Sequence, residues 1–151
     1  MNILYRVILV VSVLSSTQSI AKESMVYGGS YDADIKNIKS ANTVNINIDV
    51  WAGYARNFDI KLANIDVPEA YDEAPDCHLK LIKDSLKFTK SFIRNAKELK
   101  VQKIAMEDSS KNYGSAEIHN EKTKLSKELL KKGFARSNNI PKETPWCQDE
   151  E

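Results

Sequence analysis

The run Phe58-Asp59-Ile60-Lys61-Leu62-Ala63-Asn64-Ile65-Asp66-Val67-Pro68-Glu69 lies where the chain changes its hydrophobic period. Phe58, Ile60 and Leu62 alternate with polar residues, which is the period of a half-buried strand. Upstream the alternation is stricter: Val44, Ile46, Ile48 and Val50 fall on one face of Thr43 to Trp51, with Asn45, Asn47 and Asp49 on the other. Tyr31, Ala33 and Ile35 alternate before that, and Gly53 marks a turn. The first half therefore reads as a meander of antiparallel strands.

Beyond Pro68 and Pro75 the period becomes about 3.6. Leu79, Ile82, Leu86, Thr89, Ile93 and Ala96 recur at spacings of three and four, which predicts a helix of about five turns with one apolar stripe. Lys80, Lys83, Lys87, Lys90, Arg94 and Lys97 repeat that spacing one position later and read as a solvated basic ridge. Strand text returns over Leu99 to Met106 and Ala116 to His119. A short helix is expected near Leu129-Leu130, with Ser126 as N-cap and Gly133 just past its end. The order predicts a small α+β fold whose strands close into a five-stranded barrel with packed helices; an OB-type barrel is one fold of that size.

Working outward to the termini, residues 1–21 read as a signal peptide: Arg6, an apolar run from Val7 to Leu14, then small residues ending at Ala21. The apolar run is shorter than the roughly 20 residues that span a bilayer. A buried N-terminal helix or a retained anchor is the alternative. Residues 22–30 read as a leader broken at Gly28-Gly29, and 31–151 as one domain. An exported chain is expected, periplasmic in a Gram-negative host and secreted otherwise, with no membrane span once the signal is cleaved.

The whole chain has 22 Lys and Arg against 21 Asp and Glu, and loss of Arg6 makes the mature charge zero. That balance argues against strong sequence-independent binding to a polyanion, which counterion release would drive. Two cysteines, Cys77 and Cys147, make an even count in an exported chain and read as one disulfide, with two free thiols or a metal pair as the alternative.

Ile65-Asp66-Val67-Pro68-Glu69, preceded by an alternating strand and followed by a long helix, resembles the staphylococcal nuclease (thermonuclease-like) family. The resemblance extends over about residues 31–147. The family's Asp-Gly-Asp-Thr turn falls on Ser40-Ala41-Asn42-Thr43, its Tyr-Gly-Arg turn on Tyr113-Gly114-Ser115, and its closing helix on Leu129 to Ala135. Cys77 and Trp146-Cys147 match cysteines of exported bacterial members. The resemblance makes the OB-type barrel the expected fold and implies calcium-dependent hydrolysis of phosphodiester bonds in DNA and RNA.

Carried over residue by residue, the resemblance keeps Asp66 as a metal carboxylate, the Val67 backbone carbonyl as a metal ligand and Glu69 as the water-activating group. Three positions depart. Asn42 stands at the other metal carboxylate, and a hard cation binds more weakly as ligand charge falls. Lys61 stands at the first transition-state Arg, a point charge in place of a bidentate fork. Ser115 stands at the second Arg and supplies no charge. Loss of one transition-state donor typically costs about a hundred- to a thousandfold in rate.

Impaired or absent hydrolysis with weakened calcium binding is therefore expected, the chain serving as a binding or interaction module. A slow calcium-dependent nuclease is the competing reading, with Lys61 and Lys111 replacing the lost charges. A structural envelope protein with an empty site is the third. Tyr113 is the candidate nucleotide contact, although a half-buried packing role fits it as well. His78 and His119 read as surface or edge residues, and Glu69, Asp72, Glu73 and Asp76 as a helix-entry acidic cluster rather than a cation site.

Overall fold

The computed structural model describes residues 25–108 and 112–147. The signal peptide and Lys111 lie outside the described residues, as does the side chain of Val50. Strands β1 (Met25–Asp32), β2 (Asp34–Ile38), β3 (Thr43–Trp51), β4 (Tyr54–Leu62) and β5 (Ile65–Asp66) precede helix α1 (Asp76–Asn95). Then follow β6 (Lys100–Asp108), β7 (Tyr113–His119), helix α2 (Leu125–Lys131) and β8 (Arg136–Ser137).

Six strands form one sheet in the order β1-β6-β7-β4-β3-β2. Its two outer strands, β1 and β2, are separated in the chain by Ala33 alone. Because these edge strands are consecutive in the chain, the two edges approach each other at Ala33, although among the described residues no pairing between β1 and β2 closes the sheet. Counted as one bent strand, β1 and β2 make with β3, β4, β6 and β7 the five walls expected of the OB-type fold. The Ala33 N–H donates to the Leu99 carbonyl at 3.0 Å, which ties the bend to the start of β6.

Strand text begins earlier than expected: β1 starts at Met25, inside the stretch read as a leader. Gly28-Gly29 does not end it. Gly29 takes φ +125, a conformation that L side chains rarely adopt, and the pairing with β6 shifts register between Tyr27 and Ser30 there. Tyr113-Gly114-Ser115, expected as a turn, opens β7 instead. A Cβ on Gly114 would lie 2.6 Å from the Ala105 carbonyl oxygen, so only glycine lets β7 approach β6 this closely.

The core is what the alternation promised: Val44, Ile46 and Ile48 of β3 and Phe58, Ile60 and Leu62 of β4 are all buried, and Val101, Ile118, Leu125 and Leu129 join them. Truncating one such residue, Ile46→Ala for example, would destabilise by about 2–5 kcal/mol.

Helix α1 turns the predicted stripe inward from Ile82 to Ala96, with Thr89 buried, and departs from it at its first turn. Its buried residues are His78, Ser85 and Thr89, while Leu79 is 46% exposed. The small residues let the helix press on the turn between β2 and β3, where the Thr89 hydroxyl donates to the Ala41 carbonyl at 2.7 Å. All six residues of the basic ridge are exposed. Helix α2 begins after Lys124, not Ser126, and carries no side-chain cap. The Asn120 side chain accepts from the Lys122 and Thr123 N–H groups, and this turn delivers fully buried Leu125 as the first helical residue. Among the described residues no helix is long and apolar enough to cross a membrane.

Candidate active site

Strand β4 lies between β3 and β7, and its residue Lys61 faces Thr43 on one side and Ser115 on the other. The Leu62 N–H donates to the Asn42 carbonyl at 2.7 Å, and the Ala63 N–H to the Ala116 carbonyl at 3.0 Å. Three segments far apart in the chain are thereby held in one row. The chain reverses at Ala63-Asn64, where Asn64 takes φ 62, an angle that Asn tolerates better than most residues. That reversal returns Asp66 on β5 to Lys61, with the ammonium 3.7 Å from the carboxylate.

The row brings together most of the residues singled out from the sequence. Lys61, Asp66, Val67 and Glu69 line one cleft of about 230 Å³. Ser115 lines the neighbouring hollow with Glu107 and Asn138, and the Lys61–Asp66 pair forms the wall between the two. Tyr113 lines neither. It is half-buried two residues upstream of Ser115, opposite Asp59, whose carboxyl is held below the usual range by hydrogen bonds from Lys39 and then Asn45.

Asn42 is 2% exposed. Its amide oxygen accepts from the Ser40 hydroxyl at 2.9 Å and the Thr43 hydroxyl at 3.1 Å, and its buried Nδ2 has no partner among the described residues. The oxygen that would have to reach a cation is already engaged.

Five residues of the cleft were not expected there, Trp146 of the tail among them. His78 is buried, not a surface residue, and its Nε2–H donates to the Glu69 carbonyl at 2.8 Å. Because a carbonyl only accepts, that ring nitrogen carries the proton, and the bond fixes the backbone that carries Glu69. Tyr71 packs edge-on against His78 with ring centroids 4.9 Å apart. Arg136, directly across from Asp66 in the β5–β8 pair, and Lys142 bring two further positive charges to the lining. Sequence offered no signal for Arg136, since a single Arg after a short helix belongs to no pattern until β8 is paired.

The tail closes one side of the cleft. Cys147 is bonded to Cys77 in the first turn of α1, as the even cysteine count suggested, and Trp146 lines the cleft beside it. His119, the other histidine, sits half-buried against Glu117, away from this lining.

The sequence matches the family model described as staphylococcal nuclease homologue over residues 59–150, more than half of the chain. No curated protein matches it. The family is calcium-dependent in general, which sets a test for the residues present. Calcium takes about six to eight oxygen ligands, with affinity rising with their charge. Here Asp66 is tied to Lys61, the Asn42 oxygen is held by two hydroxyls, and Glu69 is exposed. Among the described residues, no three His, Cys, Asp or Glu side chains are arranged to hold a metal ion. This donor set does not fit a calcium centre of the kind the resemblance implies. The departure concerns the centre and not the scaffold around it: the chain belongs to the staphylococcal nuclease homologue family.

Proposed function

We propose that this chain is a nuclease relative that binds a phosphate-bearing ligand, a nucleotide or nucleic-acid strand, in the Lys61 cleft and hydrolyses it poorly or not at all. The observation that carries this reading is the Lys61–Asp66 ion pair. In a working hydrolase of this plan the carboxylate would serve a metal and the cation the transferring phosphate. Here each is the other's partner, and Ser115 beside Lys61 brings no second charge.

What the residues can do is bind and orient. The Lys61 ammonium is one-third exposed and can turn from Asp66 to an incoming phosphate oxygen. His78 holds the Glu69 backbone in place, so Glu69 keeps a fixed position at the rim. A slow hydrolase is the second reading, favoured by the fact that Glu69 and Asp66 still line the same cleft. The disulfide supports export to an oxidising compartment, the periplasm of a Gram-negative host or the exterior otherwise.

The test is to incubate the mature protein with labelled single-stranded DNA and RNA, with calcium and with chelator, and to follow binding and cleavage together. Lys61-dependent binding without chelator-sensitive cleavage is the expected result. Chelator-sensitive turnover would promote the slow hydrolase, and absence of any binding would remove the ligand reading.

A further inference from the structure

Arg136 ties the tail to the cleft by several contacts. Its Nη2 donates to the Lys142 carbonyl at 3.0 Å and its Nη1 to the Thr144 carbonyl, while the guanidinium lies 4.3 Å from the centroid of the Trp146 ring. Its Nε is buried without a partner among the described residues. The next residue after Trp146 is Cys147, bonded to Cys77, and the residue after Cys77 is His78, which holds the Glu69 carbonyl. Arg136 in turn pairs across β5–β8 with Asp66. These links make a closed circuit around the cleft: Asp66 to Glu69 along the chain, Glu69 to His78, Cys77 to Cys147, Trp146 to Arg136, and Arg136 back to Asp66.

We propose that the tail is a working wall of the binding cleft, with Arg136, from β8, holding Trp146 against the cleft, and Trp146 supplying a ring for the ligand's base. This rests on the phosphate-binding reading above and narrows it to a ligand with an aromatic base next to its phosphate. Lys61, Arg136 and Lys142 face Asp66 and Glu69 in the lining, an excess of one positive charge. Arg136 spends two donors on tail carbonyls, so it is a positioning residue: it stacks under Trp146 and sets the local charge. A planar Arg holds a ring and two carbonyls at once, which Lys cannot do.

The circuit is only as closed as its one covalent link. Reduction of the Cys77–Cys147 bond by a dithiol, giving two thiols and the oxidised dithiol, leaves Arg136 as the tie on Lys142, Thr144 and Trp146 among the described residues. Trp146 and Lys142 are then free to leave the lining, and affinity falls while Lys61 stays where it is.

The test uses the full mature chain and a fluorescent nucleoside monophosphate, with a phosphorylated linear single strand and a circular one as further probes. Binding is measured in oxidised protein, in dithiol-reduced protein and in Cys147→Ser, with circular dichroism to check that the barrel persists. Oxidised protein should bind the mononucleotide at least about tenfold more tightly than either open form. Trp146→Ala should weaken binding about five- to a hundredfold, the range for loss of one base-stacking ring. Arg136→Lys, which keeps the charge, should fall with Trp146→Ala and not with the native chain; that separates positioning from charge and spares the fold where Arg136→Ala would not. The linear strand binding while the circular one does not would assign the ligand to a strand end, and equal binding of both to any nucleotide of a strand. Lys61-dependent binding that is the same in oxidised and open forms would overturn this inference and leave the proposed function standing. Binding in neither form would sink the proposed function, and this inference with it.

Discussion

Asp66 and Glu117 are both carboxylates of this barrel that face lysine, yet they are partnered very differently. Glu117, on β7, is 14% exposed and accepts from Lys124 at 2.7 Å, Lys103 at 3.0 Å and His119 at 3.1 Å. Lys103 takes φ 54 at the register shift between β6 and β7, which aims its side chain at Glu117. Lys124 first, and then Lys103 and His119, hold the Glu117 carboxyl down at about 2. Asp66 has one ammonium at 3.7 Å and lies in an open cleft. A carboxylate with both oxygens engaged by close donors stabilises the fold, whereas one with a single loose partner can exchange it. The first is architecture and the second a site.

The comparison breaks most visibly if the site can be rebuilt. Asn42→Asp restores a charged oxygen where Ser40 and Thr43 hydroxyls already donate, and it removes the unpartnered Nδ2. Alone it should tighten calcium binding and barely change the rate. Combined with Lys61→Arg and Ser115→Arg, it should raise calcium-dependent cleavage by about three orders of magnitude or more, since a single Arg acting on a transferring phosphoryl group is worth about 10³ to 10⁵. The gain of the triple variant should exceed the product of the single gains, because the groups act as a unit. Single-turnover cleavage of a labelled DNA strand measures it. A folded triple variant with no gain would place the loss in the cleft's shape instead of its charges.

Glu117→Gln tests the architectural half. The folded carboxyl sits at about 2 against an ordinary 4.5, so its stabilisation is complete above pH 4.5 and is lost as pH falls from there towards 2. The shift corresponds to about 3 kcal/mol at neutral pH. Denaturant melts from pH 7 to 2.5 should show the native chain losing stability on the acid side of 4.5 and Glu117→Gln, already less stable at pH 7, losing less. Ligand binding should not change. A binding loss without a stability loss would reverse the two assignments.

The smallest effect is expected on the helix ridge. Lys90 is exposed on the basic ridge beside the buried face of α1, so Lys90→Ala should alter stability by no more than about 0.5 kcal/mol and leave nucleotide binding as it is. Lys61→Ala should weaken binding strongly, and Tyr113→Phe, at a position outside the cleft lining, only slightly. Equal losses at Lys61 and Lys90, measured at two salt concentrations, would mean general charge attraction and not a cleft.

How far these residues could be read from sequence depended on whether a local pattern carried them. The β3 and β4 alternation fixed a barrel face because burial follows the period of two directly. The α1 stripe held from Ile82 to Ala96, with Thr89 buried at its centre, and failed at its first residue, Leu79, which is exposed while His78 and Ser85 are buried through polar contacts that no periodicity count anticipates. His78 read as a surface residue because its partner is a backbone carbonyl nine residues earlier, invisible to side-chain patterns. Asn42, Lys61, Asp66 and Ser115 were brought together by the motif order and lie together around β4. Arg136 was missed because its place depends on a two-residue strand pairing with a distant segment. The helix start at Leu125 was shifted by an Asx turn at Asn120 that outcompeted Ser126 as a start signal.

The central claim is that Asp66 beside Lys61, with Asn42 in place of a second carboxylate, leaves a donor set unfit for calcium, and calorimetric titration of the oxidised mature chain with calcium at neutral pH tests it most directly. The account predicts no saturable binding tighter than about 1 mM, the weak limit of known protein calcium sites, with Asp66→Asn titrating like the native chain. Stoichiometric binding in the micromolar range that disappears in Asp66→Asn would contradict it.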